Sequence, residues 1–319
     1  MANKLWFSVL LAGFAGIAAA QQGNIGGPVA GFAFDAGARA LRPIQGIPGA
    51  AVLGEGIDFG VQPASVTVAP KLDAALVTGS DGVVRAFRLN SGAAGGVTLS
   101  GVASSPERVV FSPSGAAAAV YAMNTVQIVT GFPNAPAYNG KFFSYFPGGG
   151  GQHATARPFT GSMAVSDDGT LVLIADGPNV RLYQNGAERV VSTASSAQVA
   201  FAAGTHDAVV AGANGNIQLI RSVDTTAAQQ TLTVPKGVNG VAFSADSKSI
   251  YVASAAAKTV TAIDLGSGTA TPVTCDCTIT TLAPMGANFR LNEAGKGPLW
   301  MLDAGSSQPR IVFVPARTQ

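Results

Sequence analysis

The sequence predicts an all-β protein folded as a β-propeller of about seven four-stranded blades, with six as the alternative count. Three observations predict it. A short apolar-small-turn signature returns six times: Val68-Ala69-Pro70-Lys71-Leu72, Phe111-Ser112-Pro113-Ser114-Gly115, Val165-Ser166-Asp167-Asp168-Gly169, Phe201-Ala202-Ala203-Gly204-Thr205, Phe243-Ser244-Ala245-Asp246-Ser247 and Leu282-Ala283-Pro284-Met285-Gly286. The spacings are 43, 54, 36, 42 and 39 residues, about the length of one four-stranded sheet. Between the copies lie short strand-like segments rather than the long 3.6-periodic runs that helical repeats of this length need. With 40 glycines and only 7% aromatic residues, the interior falls to Val, Ile, Leu and Ala, and turns are frequent.

In chain order, the first element is for export. Lys4 precedes the apolar run Leu5 to Ala20, which ends in Ala18-Ala19-Ala20, so residues 1–20 read as a secretory signal peptide cleaved before Gln21. That run falls short of the roughly 20 apolar residues a helix needs to cross a bilayer, and no later stretch is long enough. A secreted chain, periplasmic or extracellular and without a stable membrane span, is expected. Residues 21–319 then form a single propeller domain, with blades at about 27–61, 64–101, 104–146, 159–195, 196–235, 236–275 and 276–317. Charged residues are 11% of the chain and 19 basic side chains face 17 acidic ones, so no field exists to hold a polyanion. Nucleic acid is excluded as a partner on this ground, and a monomer is expected.

The segment ahead of the first signature reads as a seventh blade. Gly31-Phe32-Ala33-Phe34-Asp35 follows the pattern of Thr261-Ala262-Ile263-Asp264, and Leu41-Arg42-Pro43-Ile44 that of Thr271-Pro272-Val273. These are expected as the third and fourth strands of a blade, with Ala50 to Phe59 beside them. Pairing of this piece with the C-terminal strand Arg310 to Val314 is expected to close the ring and remove exposed edges.

Residues 237–273 carry the clearest blade. Val238 to Phe243, Ile250 to Ser254, Thr259 to Asp264 and Thr269 to Val273 read as four strands, with turns at Ser244-Ala245-Asp246-Ser247 and Gly266-Ser267-Gly268. Apolar and polar residues alternate from Lys258 to Asp264, the period-two pattern of a half-buried strand. The turn residues have a local cause: Asp or Ser accepts a hydrogen bond from the backbone two residues on, and Gly tolerates positive φ. Asp167, Asp168 and Gly169, like Ser112, Ser114 and Gly115, are read as turn formers. A calcium cage is the competing reading, but carboxylates at blade period do not gather into a multi-oxygen site.

The stretch Val241-Ala242-Phe243-Ser244-Ala245-Asp246-Ser247-Lys248-Ser249-Ile250-Tyr251-Val252-Ala253-Ser254, followed by Thr259 to Asp264, resembles the core of the YVTN-type, WD40-like family of bacterial β-propeller repeats. Ser247 stands where that family has Gly, and Ser254 where it has Asn. Weaker copies cover most of residues 64–315. The resemblance implies a propeller and no particular activity, because such modules serve as scaffolds, binders and enzyme shells.

Few places are left for chemistry. The interval from Phe111 to Val165 holds an insertion, Lys141-Phe142-Phe143-Ser144-Tyr145-Phe146-Pro147, then Gly148 to Gly151, Gln152 and His153. Phe142, Phe143, Tyr145, Phe146, His153 and Arg157 are the candidate ligand-binding residues, forming a stacking platform for a sugar or peptide. The competing reading packs the aromatics as an outer strand, since aromatic residues favour strands. Cys275 and Cys277 are a candidate disulfide or redox pair. Residues i and i+2 of an extended strand lie roughly 6.5 to 7 Å apart, at the disulfide limit, so a bridge requires a local turn. Two thiols do not make a zinc site, and neither metal nor cofactor is expected.

His153 and His206 sit on different modules, and Thr205-His206-Asp207 reads as an ordinary turn. No Gly-x-Ser-x-Gly elbow, haem-attachment Cys-x-x-Cys-His or phosphate loop occurs. Lactonases of the related repeat class line their channel with acidic, basic and imidazole groups. Glu55, Asp58, Glu107, Arg108, Asp176, Arg181 and Arg221 are the corresponding candidates here, and ordinary surface charge accounts for them equally; no catalytic residue is assigned. The expectation is a secreted, non-enzymatic module binding a protein or ligand, with a lactonase-like hydrolase or a structural envelope protein as alternatives.

Overall fold

The computed structural model describes residues 27–90, 95–145, 159–225, 228–306 and 308–316. Their strands form seven antiparallel sheets in chain order, six of four strands and one of three, arranged as the blades of a propeller. Blade 1 is the three-stranded sheet, residues 29–53, and blades 2 to 7 span 63–98, 108–144, 162–193, 198–233, 238–274 and 283–314. Blade 6 matches its sequence reading to within one residue at every strand boundary: Val238–Phe243, Ser249–Ser254, Thr259–Asp264 and Ala270–Thr274.

Apolar burial on both faces holds the blades together. In blade 5, Val209, Ala211, Ile217 and Leu219 pack against Val241, Phe243, Ile250 and Val252 of blade 6. On the opposite face Ala208, Val210 and Ile220 pack against Leu171, Leu173 and Leu182 of blade 4. The second strands Ala74–Gly79 and Ala117–Ala122 are consequently buried at every position. The same geometry corrects the half-buried reading of Thr259–Asp264. Thr259 and Thr261 are buried at 8% and 3% exposure, and their hydroxyls have no partner among the described residues, because the polar face of the strand meets a neighbouring blade instead of water.

The recurring signature is the turn from the first strand of a blade to the second. Ser112, Ser166 and Ser244 accept hydrogen bonds at their hydroxyls from the amides of Ala117, Leu171 and Ser249, at 3.1, 3.0 and 2.9 Å. Their carbonyls accept from the amides of Gly115, Gly169 and Ser247. Those three residues have φ of 77°, 65° and 57°, a left-handed conformation that glycine takes freely and serine only at a cost. Ser247 offsets that cost by accepting a hydrogen bond at Oγ from the amide of Ala203 in blade 5, at 3.0 Å.

Blade 1 departs from expectation in two ways. Its strands Val29–Asp35, Ala40–Ile47 and Ala50–Leu53 are the second, third and fourth of a blade, and the inner strand is the missing one. Asp35, at the end of its first strand, forms a parallel bridge to Ala294, which lies between the second and third strands of blade 7. Arg39 (φ 47°) then takes the place that Lys258 (φ 51°) holds between the second and third strands of blade 6. With no inner hairpin in between, the first turns of blades 7 and 2 meet directly, the amide of Gly286 donating to the carbonyl of Pro70 at 2.7 Å. The expected closure by Arg310–Val314 does not occur. That strand pairs with Leu299–Asp303 as the outer strand of its own blade, and the ring closes by packing of Ala33, Ile44 and Ala51 on Met285, Leu299 and Met301.

Two outcomes follow from these contacts. Ser247→Ala should cost about 1–2 kcal/mol, whereas Ser247→Gly should be near neutral because relief of the left-handed strain offsets the lost bond; denaturant midpoints of the two variants decide it, and equal midpoints would contradict it. Because blade 1 shares no strand with blade 7, its amides should exchange with solvent ahead of those in the second and third strands of blade 5. Hydrogen exchange read by mass spectrometry checks the order.

Candidate functional site: the central channel

The first strands of blades 2 to 7 and the edge of blade 1 surround a channel with a volume of about 980 Å³. At its turn end lie the first hairpin turns, including Pro70, Lys71, Ser114 and Ala203. At the other, connection end, the chain enters each blade, and here the lining includes Arg108, Gln198, Asn239, Thr280, Arg290 and Glu293. Phe32 and Phe34 of blade 1 face the channel where the missing strand would run.

The polar groups at the connection end are incompletely matched. Arg108 donates from Nη2 to the carbonyl of Gly161 at 3.0 Å, and its guanidinium lies 5.8 Å from the centre of the Phe159 ring. The residue is exposed at the mouth, and partial desolvation of its guanidinium pulls its pKa below the usual arginine value. The Nη atoms of Arg290 hold the carboxylate of Glu293 at 2.9 and 3.0 Å, while its Nε is buried without a partner among the described residues. Desolvation again lowers the arginine pKa, opposed by the charge of Glu293. Asn239 donates to the carbonyl of Ile279 at 2.9 Å, and its Oδ1 is likewise buried and unmatched.

The described part of the aromatic insertion, up to Tyr145, joins blade 3. Phe142 and Phe143 belong to the strand Ala137–Ser144. The ring of Phe143 stacks on Tyr183 of blade 4 at 4.2 Å between centroids. Tyr145 is 2% exposed, makes edge contacts with Tyr121, Phe159 and Tyr183, and donates its hydroxyl to Asp176 at 2.8 Å. Burial, with that bond to Asp176, raises the Tyr145 phenol far above its usual range; burial raises Tyr121 to about 12. Phe146, His153 and Arg157 lie outside the described residues.

Cys275 and Cys277 form a disulfide across a Cα–Cα distance of 5.1 Å, in the connection from blade 6 to blade 7, and both are buried. Of the seven charged candidates, Arg108 alone lines the channel. Glu107 accepts from the amide of Phe159 at 3.2 Å, Asp58 from the amide of Gly60 at 2.8 Å, and Arg221 pairs with Asp207 at 2.6 Å. Arg181 lies in the strand Asn179–Gln184, and Glu55 in the connection after blade 1.

Sequence reasoning missed the polar network at the turn end. Asp168 caps its own turn as expected, accepting from Ser166 Oγ at 2.6 Å and from the amide of Thr170 at 3.0 Å. Asp167 reaches sideways, accepting from the amide of Ser114 in blade 3 and from that of Gly204 in blade 5, each at 2.7 Å. His206 is held between two carboxylates, with Nδ1 2.8 Å from Asp224 and Nε2 3.1 Å from Asp168 of blade 4. Burial opposes protonation of His206, but the bonds to Asp224 and Asp168 outweigh it and raise the pKa. Burial similarly opposes ionisation of Asp168, and bonds from Ser166, Thr170 and His206 hold it well below the usual carboxylate value.

No family model matches the chain, and no curated protein matches it. The fold is similar to the crystal structure of a functionally unknown protein from Desulfotomaculum acetoxidans DSM 771, with 12% sequence identity and a TM-score of 0.57 over 90% of this chain and 99% of that one. At this identity the likeness establishes the propeller fold alone.

The His206 contacts fix a pH dependence. A raised histidine pKa means stabilisation that is full below the ordinary value of 6.5 and fades as pH rises through the folded value. A lowered aspartate pKa means stabilisation present above 3.8 and lost as pH falls through the folded value of Asp168. The clamp is therefore complete between about pH 4 and 6. His206→Gln should lower the melting midpoint by roughly 1–3 °C at pH 5 and by less toward pH 9. A difference that stays constant across this range would contradict the assignment.

Proposed function

We propose that this chain is an exported β-propeller that takes a ligand, or a segment of a protein partner, into its central channel and performs no chemistry on it. The channel carries this reading. Its volume of about 980 Å³ lies in the range of ligand-binding sites, and the surrounding sheets form it in advance. Among the described residues His206 is engaged with Asp168 and Asp224, Asp176 with Tyr145 and Glu107 with the amide of Phe159, and the carboxylate in the channel lining, Glu293, is paired with Arg290.

Two features support export. One is the apolar run from Leu5 to Ala20 behind Lys4. The other is the Cys275–Cys277 disulfide, a bond that persists in oxidising compartments. The YVTN-type resemblance of blade 6 adds a scaffold commonly adapted to binding.

Thermal melting of the purified protein against sugars, peptides, cell-wall fragments and lactones tests the proposal. Occupancy at a hundred times the dissociation constant adds about 2.7 kcal/mol and raises the midpoint by several degrees. A sugar or peptide shift without turnover is the expected result. Hydrolysis of a lactone, seen as acid release, would overturn the non-enzymatic reading, and a flat response to every compound would remove the small-ligand one.

A further inference from the structure

We propose that the connection-end mouth of the channel is an anion site for a carboxylate or phosphate group, with Arg108 as the anchoring cation and Arg290 as a second donor. This rests on the channel-binding reading and names the ligand class. Among the described residues four charged side chains line the channel, Lys71 at the turn end and Arg108, Arg290 and Glu293 at the connection end. Two cations thus face one anion at that mouth, and the whole channel carries a positive excess, in a chain whose charged content is only 11%. Between walls of low dielectric that excess is focused on the cavity.

Arg108 supplies the vacancy for a ligand. An arginine has five N–H donors, and among the described residues one nitrogen of Arg108 is engaged, with the Gly161 carbonyl, while no carboxylate pairs with it. Its lowered pKa reflects partial desolvation of the charge, which an incoming anion would compensate. Phe159 beneath the guanidinium favours a flat, forked presentation suited to carboxylate or phosphate.

Arg290 supplies a second, gated donor. Its side chain is 15% exposed and its Nε–H is unmatched, whereas Glu293 is 59% exposed and holds only the Nη atoms. Glu293 is placed to act as a resident counter-ion that a ligand anion displaces into solvent. Displacement leaves the buried arginine charge paired throughout, which a simple loss of Glu293 would not.

Isothermal titration of the purified protein with sodium succinate and with sodium phosphate at low ionic strength tests this, with neutral succinamide as the control. Saturable binding of at least one anion is expected, weakening as salt rises, with no saturable heat from succinamide. The responding arm identifies the preferred group. Arg108→Gln should weaken binding at least about tenfold. Glu293→Gln should tighten it, because a competing carboxylate is removed; its far-ultraviolet circular dichroism should match the parent. Absence of saturable binding by both anions, or equal affinity in the Arg108→Gln protein, would overturn the anion site. If neutral sugars or peptides still shift the melting midpoint in that case, the channel-binding reading stands alone. If they do not, both fall.

Discussion

Each blade is covered on both faces by its neighbours, and the rest of the molecule accommodates this burial. A sheet with no solvent-facing side has little use for charge, which accounts for a chain with 11% charged residues and continuous apolar strands such as Ala117–Ala122. Toward the axis the blades converge, and side chains must shrink. A Cβ on Gly240 of blade 6 would lie 2.7 Å from the Cβ of Leu282 at the start of blade 7, so no side chain fits unless the two blades separate. Polar groups are driven to the two ends of the strands, where backbone amides remain to be matched.

The two ends use those polar groups differently. At the turn end they are spent on cohesion: Asp167 ties blade 4 to blades 3 and 5, Ser247 ties blade 6 to blade 5, and Gly286 meets Pro70 across the ring seam. At the connection end the matching is looser. Arg108 rests on one carbonyl, and Arg290 and Asn239 each keep one buried polar atom without a protein partner. Unmatched buried groups are costly; of the four such side-chain atoms among the described residues, two lie at this mouth, two are the hydroxyls of Thr259 and Thr261 between blades, and none lies at the turn end, which separates the mouth from the structural end.

The blades were legible because their cause is local. A left-handed residue closes the first hairpin turn in each of blades 2 to 7, a serine hydroxyl three positions before it caps the turn in blades 3, 4 and 6, and blade 6 could be drawn strand by strand from them. Blade 1 was misassigned because second, third and fourth strands share the same alternation. The informative signal was the turn Gly37-Ala38-Arg39, whose counterpart in blade 6 ends at Lys258. Contacts across blades left no trace in spacing: nothing in Asp167-Asp168 tells which carboxylate caps its own turn and which reaches for Ser114 and Gly204. The Phe143–Tyr183 stack was equally hidden, since the partner lies in the next module.

The seam between blades 1 and 7 has a consequence for how the chain is made. Ribosomal synthesis delivers the first blade early, but one face of it, Ala33, Ile44 and Ala51, finds its cover only in Met285, Leu299 and Met301 of the last. Until the final sheet emerges, that apolar surface has nothing of its own chain to bury against, and no exchanged strand holds the place open. A truncation that removes the last blade leaves that face uncovered and exposed to aggregation.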